Sequence, residues 1–354
     1  MCRSQRPFRA YRAEDGLAVA SATPYSVELR TGYRRGIAVV APMRELLYAR
    51  TAAGFRGRSN TYPHIMLDIA FLGLLALYLV VGVAAGMSTG FLGGGGGVIT
   101  VPILIYIFAL LGYPENASVH TAVGTSLFVI IFNAASSSLV HLKKDIINHR
   151  ILVIMIISGI LGAVTGGTMS AMTASPLFKK LLAAFLIVTA LRFMRTARSV
   201  KSGDLESLKP EGTIECPIDE RQYPPKRMFF CGSIGFFSGF VAAFFGIGGG
   251  AITIPLGIVL VRFTMIEAIC YSTCLMTVCT IVGVLVQTIA GLSASVHIPY
   301  SVGYVNYVAG GVMALSGSFA ARWAAAKVHT INQVVLMRII TVIIIAAAVG
   351  LFLE

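Results

Sequence analysis

The sequence predicts an all-α polytopic membrane protein made of two inverted-topology repeats of about five helical segments each, with Gly-rich broken or re-entrant helices. Three observations predict it. The 354 residues are 56% hydrophobic and only 12% charged, with a mean hydropathy of +0.82, whereas a soluble chain carries about 25% Asp, Glu, Lys and Arg. Ten apolar segments fall into two groups of five around a polar stretch. Each group holds one glycine-proline block after its first segment. Composition therefore excludes a soluble globular domain, a disordered chain and a disulfide scaffold.

Residues 1–65 form a basic N-terminal extension with eleven Arg, no Lys and four acids (Glu14, Asp15, Glu28, Glu45). They contain no apolar run and so no secretory signal peptide. Three readings are open. One is an organelle-targeting segment, against which Glu14 and Asp15 count. Another is a basic tail on the membrane surface. The third, which we adopt as the expectation, is that translation starts at Met66, where MLDIAFLGLL opens the first apolar run. The upstream stretch is then disordered or a start-site artefact.

Residues 66–194 are the expected first transmembrane repeat, with apolar segments at 67–87, 98–111, 117–142, 151–172 and 177–194. Residues 195–227 are a linker with seven Lys or Arg, six acids and the turn signal Pro224-Pro225. Residues 228–354 are the expected second repeat, with segments at 228–245, 251–261, 267–292, 302–323 and 334–353. The net charge of +13 is concentrated in the extension and the loops, which excludes a nucleic-acid footprint. Six cysteines without a C-x-x-C pair read as small buried hydrophobes, so no cofactor and no metal are expected.

Residues 90–105 (GFLGGGGGVITVPILI) lie over residues 243–258 (AFFGIGGGAITIPLGI) with nine identities and no gap. Gly93, Gly95, Gly96, Gly97, Thr100 and Pro102 pair with Gly246, Gly248, Gly249, Gly250, Thr253 and Pro255. A polar patch follows inside the next helix of each half, Gly124-Thr125-Ser126-Leu127 and Ser272-Thr273-Cys274-Leu275. Each half then has a Gly-dotted helix (Gly159, Gly162, Gly166, Gly167; Gly310, Gly311, Gly317), which reads as close helix packing. Such internal symmetry is the signature of a duplication.

Loop charge sets the orientation. Lys143, Lys144 and Arg150 put the 141–150 loop in the cytoplasm, and the 195–227 linker follows it. The equivalent loop of the second half, 293–300, has no Lys or Arg, and Arg322 and Lys327 come one loop later. The bias has changed sides, as it does when an odd number of segments inverts the second copy. Lys179 and Lys180 count against this scheme, as does an Arg-rich N-terminus left outside.

Segments 98–111 and 251–261 are too short to cross, since about 20 residues are needed. They read as broken or re-entrant helices whose glycine turns lie inside the membrane, where irregular backbone must line a cavity or be buried. Glycines let a ligand approach bare N–H groups. The helix that starts next leaves four N–H groups unpaired and adds about half a positive charge. Each block is thus a candidate anion cradle. The candidate substrate-binding residues are Gly93, Gly95, Gly96, Gly97, Thr100, Thr125 and Ser126 with Gly246, Gly248, Gly249, Gly250, Thr253 and Thr273. Two alternatives stand beside this reading: the hydroxyls bond their own helices, and the glycines serve tight helix crossing.

Gly86-Met87-Ser88-Thr89-Gly90 matches G-x-S-x-G, but that elbow follows a strand, and here a long apolar helix precedes it. The glycine run lacks the Lys of a Walker A loop. His120, His141 and His297 lie near segment ends and read as interfacial. Glu267 and Asp68 lie at segment edges, so a multi-carboxylate proton relay is not expected, although an edge Glu or His could still shuttle protons.

The paired G-x-G-G-G-x-x-x-x-P blocks, the GTSL patch and the polar central loop resemble the sulfite exporter TauE/SafE family of membrane permeases. The resemblance covers about residues 66–353. It departs where Gly94 stands opposite Ile247 and where Cys274 replaces Ser. It implies export of sulfite or small sulfonates across the bacterial inner membrane. The expected protein is a secondary anion transporter, not an enzyme, whose partners are a small inorganic or organic anion and the lipid bilayer. One half would rock against the other around the cradles. The alternatives are an anion channel and an intramembrane serine hydrolase using Ser88.

Overall fold

The computed structural model describes residues 63–142, 147–201, 225–294 and 298–327, with residues 341, 342, 344–346, 348 and 350 of the last segment. In chain order the described elements are α1 (Pro63–Leu92), α2 (Gly97–Leu110), α3 (Glu115–Leu142), α4 (His149–Met172), α5 (Ser175–Lys201), α6 (Pro225–Phe245), α7 (Gly250–Leu256), α8 (Met265–Ser293), strands β1 (Ser301–Val302) and β2 (Val305–Asn306), and α9 (Tyr307–Ala326). The extension before residue 63 and most of the linker lie outside the described residues.

Local signals explain the boundaries. Pro63 and Pro225 open α1 and α6, at positions where the missing N–H is not needed. The Asn148 side chain accepts from the Arg150 and Ile151 amides and caps α4. α2 ends at Leu110 and Gly112 then turns left-handed, at φ 84°. Beyond α7 the chain widens into a π-helical turn, Gly257–Val261, which Arg262 stops at φ 59°. Thr264 and Glu267 close α8 with a reciprocal capping box. The Glu267 carboxylate is therefore engaged by the Thr264 amide at 2.7 Å.

Among the described residues, five helices are long and apolar enough to cross a membrane, within Phe71–Phe91, Glu115–Val140, His149–Met172, Lys226–Phe245 and Met265–Ser293. This is a helical, multi-pass membrane architecture. Its outward side chains are apolar, among them Val80, Leu161, Leu285 and Phe319. α2 has 14 residues, about 21 Å at 1.5 Å per residue, and stops short of a crossing.

Two features depart from the sequence expectations. Residues 302–306 are not helical: Ser301–Val302 pairs antiparallel with Val305–Asn306 around Gly303. Asn306 then caps α9 through the Ala309 amide. Among the described residues the fold is thus helical with one small hairpin. Helix α5 also runs on to Lys201, past the apolar segment that ends at residue 194. Its Lys179 is paired with Glu115 at 2.9 Å.

The helices do not associate by halves. α1 packs along α9, where a Cβ on Gly86 would strike the Gly317 carbonyl. α6 packs along α4, where a Cβ on Gly239 would strike the Gly159 carbonyl. Such backbone approach is what small residues permit inside a membrane. Each seam joins a helix before the linker to one after it.

Candidate functional site

Both glycine bends lie in the interior, against each other. Gly93, Gly95, Gly96 and Gly97 are buried, as are Gly246, Gly248, Gly249 and Gly250. A Cβ on Gly95 would stand 2.9 Å from the Gly248 Cα, and one on Gly248 3.0 Å from the Gly95 Cα. Both residues take a left-handed φ, 85° and 86°, which glycine adopts at little steric cost. Flanking this crossing, a Cβ on Gly97 would strike the Gly246 carbonyl and one on Gly250 the Gly93 carbonyl. Gly96 and Gly249 press on the helix before their own bend, at Ala85 and Ser238. Most of the glycines therefore make the crossing possible.

Helices α3 and α8 clamp the crossing with hydroxyls. Ser126 Oγ donates to the Gly246 carbonyl at 2.7 Å, and Ser272 Oγ donates to the Gly93 carbonyl at 2.9 Å. Each serine holds the bend of the opposite half. The same correspondence recurs along the two helices. Val123 faces Gly246 as Ile269 faces Gly93, and Asn133 faces Gly317 as Cys279 faces Gly159. Thr125 Oγ1 accepts from the Asn306 amide, as the Tyr271 hydroxyl accepts from the Asn148 amide. These contacts correct the sequence register by two residues: the partner of Ser126 is Ser272, not Cys274. Contacts across the core set the pairing, and Thr-x-Leu similarity alone had placed it wrongly.

The other predicted hydroxyls turn inward on their own helices. Thr100 Oγ1 donates to the Gly96 carbonyl at 3.0 Å, and Thr253 Oγ1 to the Gly249 carbonyl at 3.1 Å. Thr273 Oγ1 contacts the Ile269 and Cys270 carbonyls. Ser238, absent from the sequence-derived set, lies 2.6 Å from Thr253 Oγ1 and reaches the Gly249 carbonyl at 3.0 Å. Its position gives no sequence signal, because the corresponding residue of the first half is Ala85.

The two bends differ in one respect that bears on ligands. A Cβ on Gly94 meets no atom within 4 Å, although Gly94 is buried. Its counterpart Ile247 is a fully buried side chain. Space thus lies beside the first bend where the second carries isoleucine. Among the described residues, the amides of Gly95, Gly96, Gly97 and Val98 find no hydrogen-bond acceptor. Buried amides normally have one. These amides open the 14-residue α2, whose dipole adds positive potential. On the other side, α7 and its π-helical turn together span Gly250–Val261.

The G-x-S-x-G stretch is wholly helical within α1, and its outer glycines belong to the seam: Gly86 meets Gly317 and Gly90 meets Ala321. Packing accounts for the pattern. His120 is buried within the protein, being only 5% exposed. His297 lies outside the described residues.

Residues 78–351 match the family described as sulfite exporter TauE/SafE. A probable membrane transporter protein of Methanocaldococcus jannaschii is 31% identical over 252 residues, covering 71% of this chain and 85% of that one. A probable membrane transporter protein of Bacillus subtilis is 26% identical, over 76% of this chain and 94% of its own. One from Xylella fastidiosa is 27% identical over 52% and 62%. No solved structure matches.

Proposed function

The chain belongs to the sulfite exporter TauE/SafE family, a membrane-transporter family, and on that premise we propose that it carries sulfite or a small sulfonate across the bacterial inner membrane as a secondary transporter. The observation that carries the reading is the space beside Gly94, next to four buried amides without acceptors at the start of α2. Unpaired N–H groups at a helix N-terminus suit an oxyanion. A low-dielectric surround strengthens the attraction.

This reading gives the two bends unequal roles. The first would receive the anion, and the second, filled by Ile247, would support it. The direct packing of Gly95 on Gly248 closes the crossing, which favours a carrier over an open channel. The recurrence of the seam, serine and asparagine contacts supports two repeats of opposite orientation. The seams also change what would move. α9 is fixed to α1 and α4 to α6, so the bodies that rock would be α1–α3 with α9 and α6–α8 with α4.

The test is anion efflux from reconstituted vesicles loaded in turn with sulfite, methanesulfonate, sulfate and chloride. Sulfite or methanesulfonate should leave fastest by a wide margin. Equal rates for chloride and sulfonate would point to a channel and remove the carrier reading.

A further inference from the structure

A second polar group lies away from the glycine crossing, and its contacts form a chain from His120 to Thr173. The His120 and Tyr304 rings are 5.2 Å apart. The Tyr304 amide donates to the Gln287 carbonyl at 3.4 Å. Gln287 Nε2 donates to Ser170 Oγ at 3.2 Å. The Thr173 amide donates to the Ser170 carbonyl at 3.2 Å. His120, Gln287 and Ser170 are 5%, 0% and 0% exposed.

Two atoms of this chain have no partner: His120 Nδ1 and Gln287 Oε1. Ser175 Oγ, just beyond Thr173, has none either. In the neutral tautomer that carries its proton on Nε2, His120 Nδ1 holds a lone pair. Gln287 has spent Nε2 on Ser170, so Oε1 can only accept. The Ser175 hydroxyl has one proton for these two buried acceptors, so one of them still calls for a donor, since an unpaired buried polar group costs about 1–3 kcal/mol. Protonating Nδ1 turns one of them into that donor.

Among the groups around His120, it is the one whose ordinary charge change lies near neutral pH. From the hairpin come the phenols of Tyr304 and Tyr300. α4 and α8 contribute the neutral Thr173, Ser170 and Gln287. α5 contributes Phe178, with ring centroids 6.2 Å apart, and Lys179, which is paired with Glu115 of α3.

The geometry points to a proton-binding site at His120 Nδ1, completed by Gln287 and Ser175, that takes up and releases one proton per transport turnover. This rests on the transport reading above. Nothing in the glycine crossing supplies such a group.

The test uses the full chain in vesicles with methanesulfonate, whose charge does not change with pH in the working range. A pH step across the membrane should drive accumulation by about tenfold per unit for one proton per anion. In His120→Gln, downhill flux should persist while the response to the pH step disappears. A His120→Gln protein that keeps the response, or wild type that moves the anion without one, overturns the site. If neither moves methanesulfonate, the transport reading fails separately. Histidine-labelled protein then decides by magnetic resonance. A His120 ring that takes a proton between about pH 9 and 5, at a lower pH in Gln287→Leu, upholds the site. A ring that never does so refutes it.

Discussion

Ser126 of α3 hydrogen-bonds the carbonyl of Gly246, a residue 120 positions away on the other side of the linker. Ser272 returns the bond to Gly93. Both carbonyls are interior, so removing either hydroxyl leaves an acceptor unpaired. Ser126→Ala and Ser272→Ala should each destabilise the protein by about 1–3 kcal/mol, read as a lowered unfolding midpoint in detergent. Cys274→Ala should leave it nearly unchanged. If Cys274 mattered as much as Ser272, the register derived from the contacts would be wrong.

Gly94 separates packing from binding. The Cβ positions of its neighbours Gly95, Gly96 and Gly97 run into backbone, so substitutions there harm the fold and say little about ligands. Gly94→Ala has room and should keep the unfolding midpoint within about 0.5 kcal/mol of wild type, as substitutions outside strained or packed sites do. Sulfite flux should fall at least about tenfold if a ligand uses that space, a loss of roughly 1.4 kcal/mol. Gly94→Ile, which copies the second bend, should abolish it. Full flux in Gly94→Ile would remove the first bend as the anion seat.

What the sequence disclosed, and what it concealed, follows from the range of each interaction. The glycine-proline blocks were legible because nine of sixteen positions coincide. Their short following helices were legible from length alone. The exchange of helices between halves was not, because the α1–α9 contact joins residues more than 200 apart and leaves no period in either. A trace existed: Met155-Ile156-Ile157-Ser158-Gly159 on α4 repeats as Met313-Ala314-Leu315-Ser316-Gly317 on α9, and these are the two stretches that receive α6 and α1. The hairpin was hidden because Val302, Tyr304 and Val305 read as apolar helix, while the stop depends on Gly303 and the Asn306 cap. Of the predicted hydroxyls, Ser126 reaches across the core. Thr100, Thr253 and Thr273 satisfy themselves locally, a choice that rotamers make and spacing does not reveal.

The loop between α2 and α3 predicts an alkaline response. Burial, with the neighbouring Tyr300 phenol as a smaller cause, pushes Tyr113 up to about 12 from 10.0. A raised phenol favours the protonated folded state, so its contribution is complete below pH 10 and is lost as pH rises towards 12. The unfolding midpoint of wild type should therefore fall across this window. Tyr113→Phe, which has no phenol to ionise, should show a shallower fall. Identical slopes would mean that other groups govern the alkaline limit.

The exchanged seams make the moving bodies testable by cross-linking. Ser316 Oγ reaches the Leu79 carbonyl at 3.2 Å across the α1–α9 seam, whereas Leu127 of α3 lies 3.1 Å from the Cβ position of Gly283 on α8. If α9 travels with α1, a short bis-thiol bridge between cysteines at 79 and 316 joins two parts of one body. Flux should then survive within about twofold. A bridge between cysteines at 127 and 283 ties the two bodies together and should stop flux, with recovery on reduction of a cleavable linker. Both variants need a background in which the native cysteines are replaced, since Cys231, Cys274 and Cys279 are free thiols. Arrest by both bridges would restore the simpler division in which each sequence half moves as a unit. A bridge that hinders nothing in either place would instead confine the motion to the glycine bends, since backbone packed as closely as Gly86 on Gly317 has no slack for sliding.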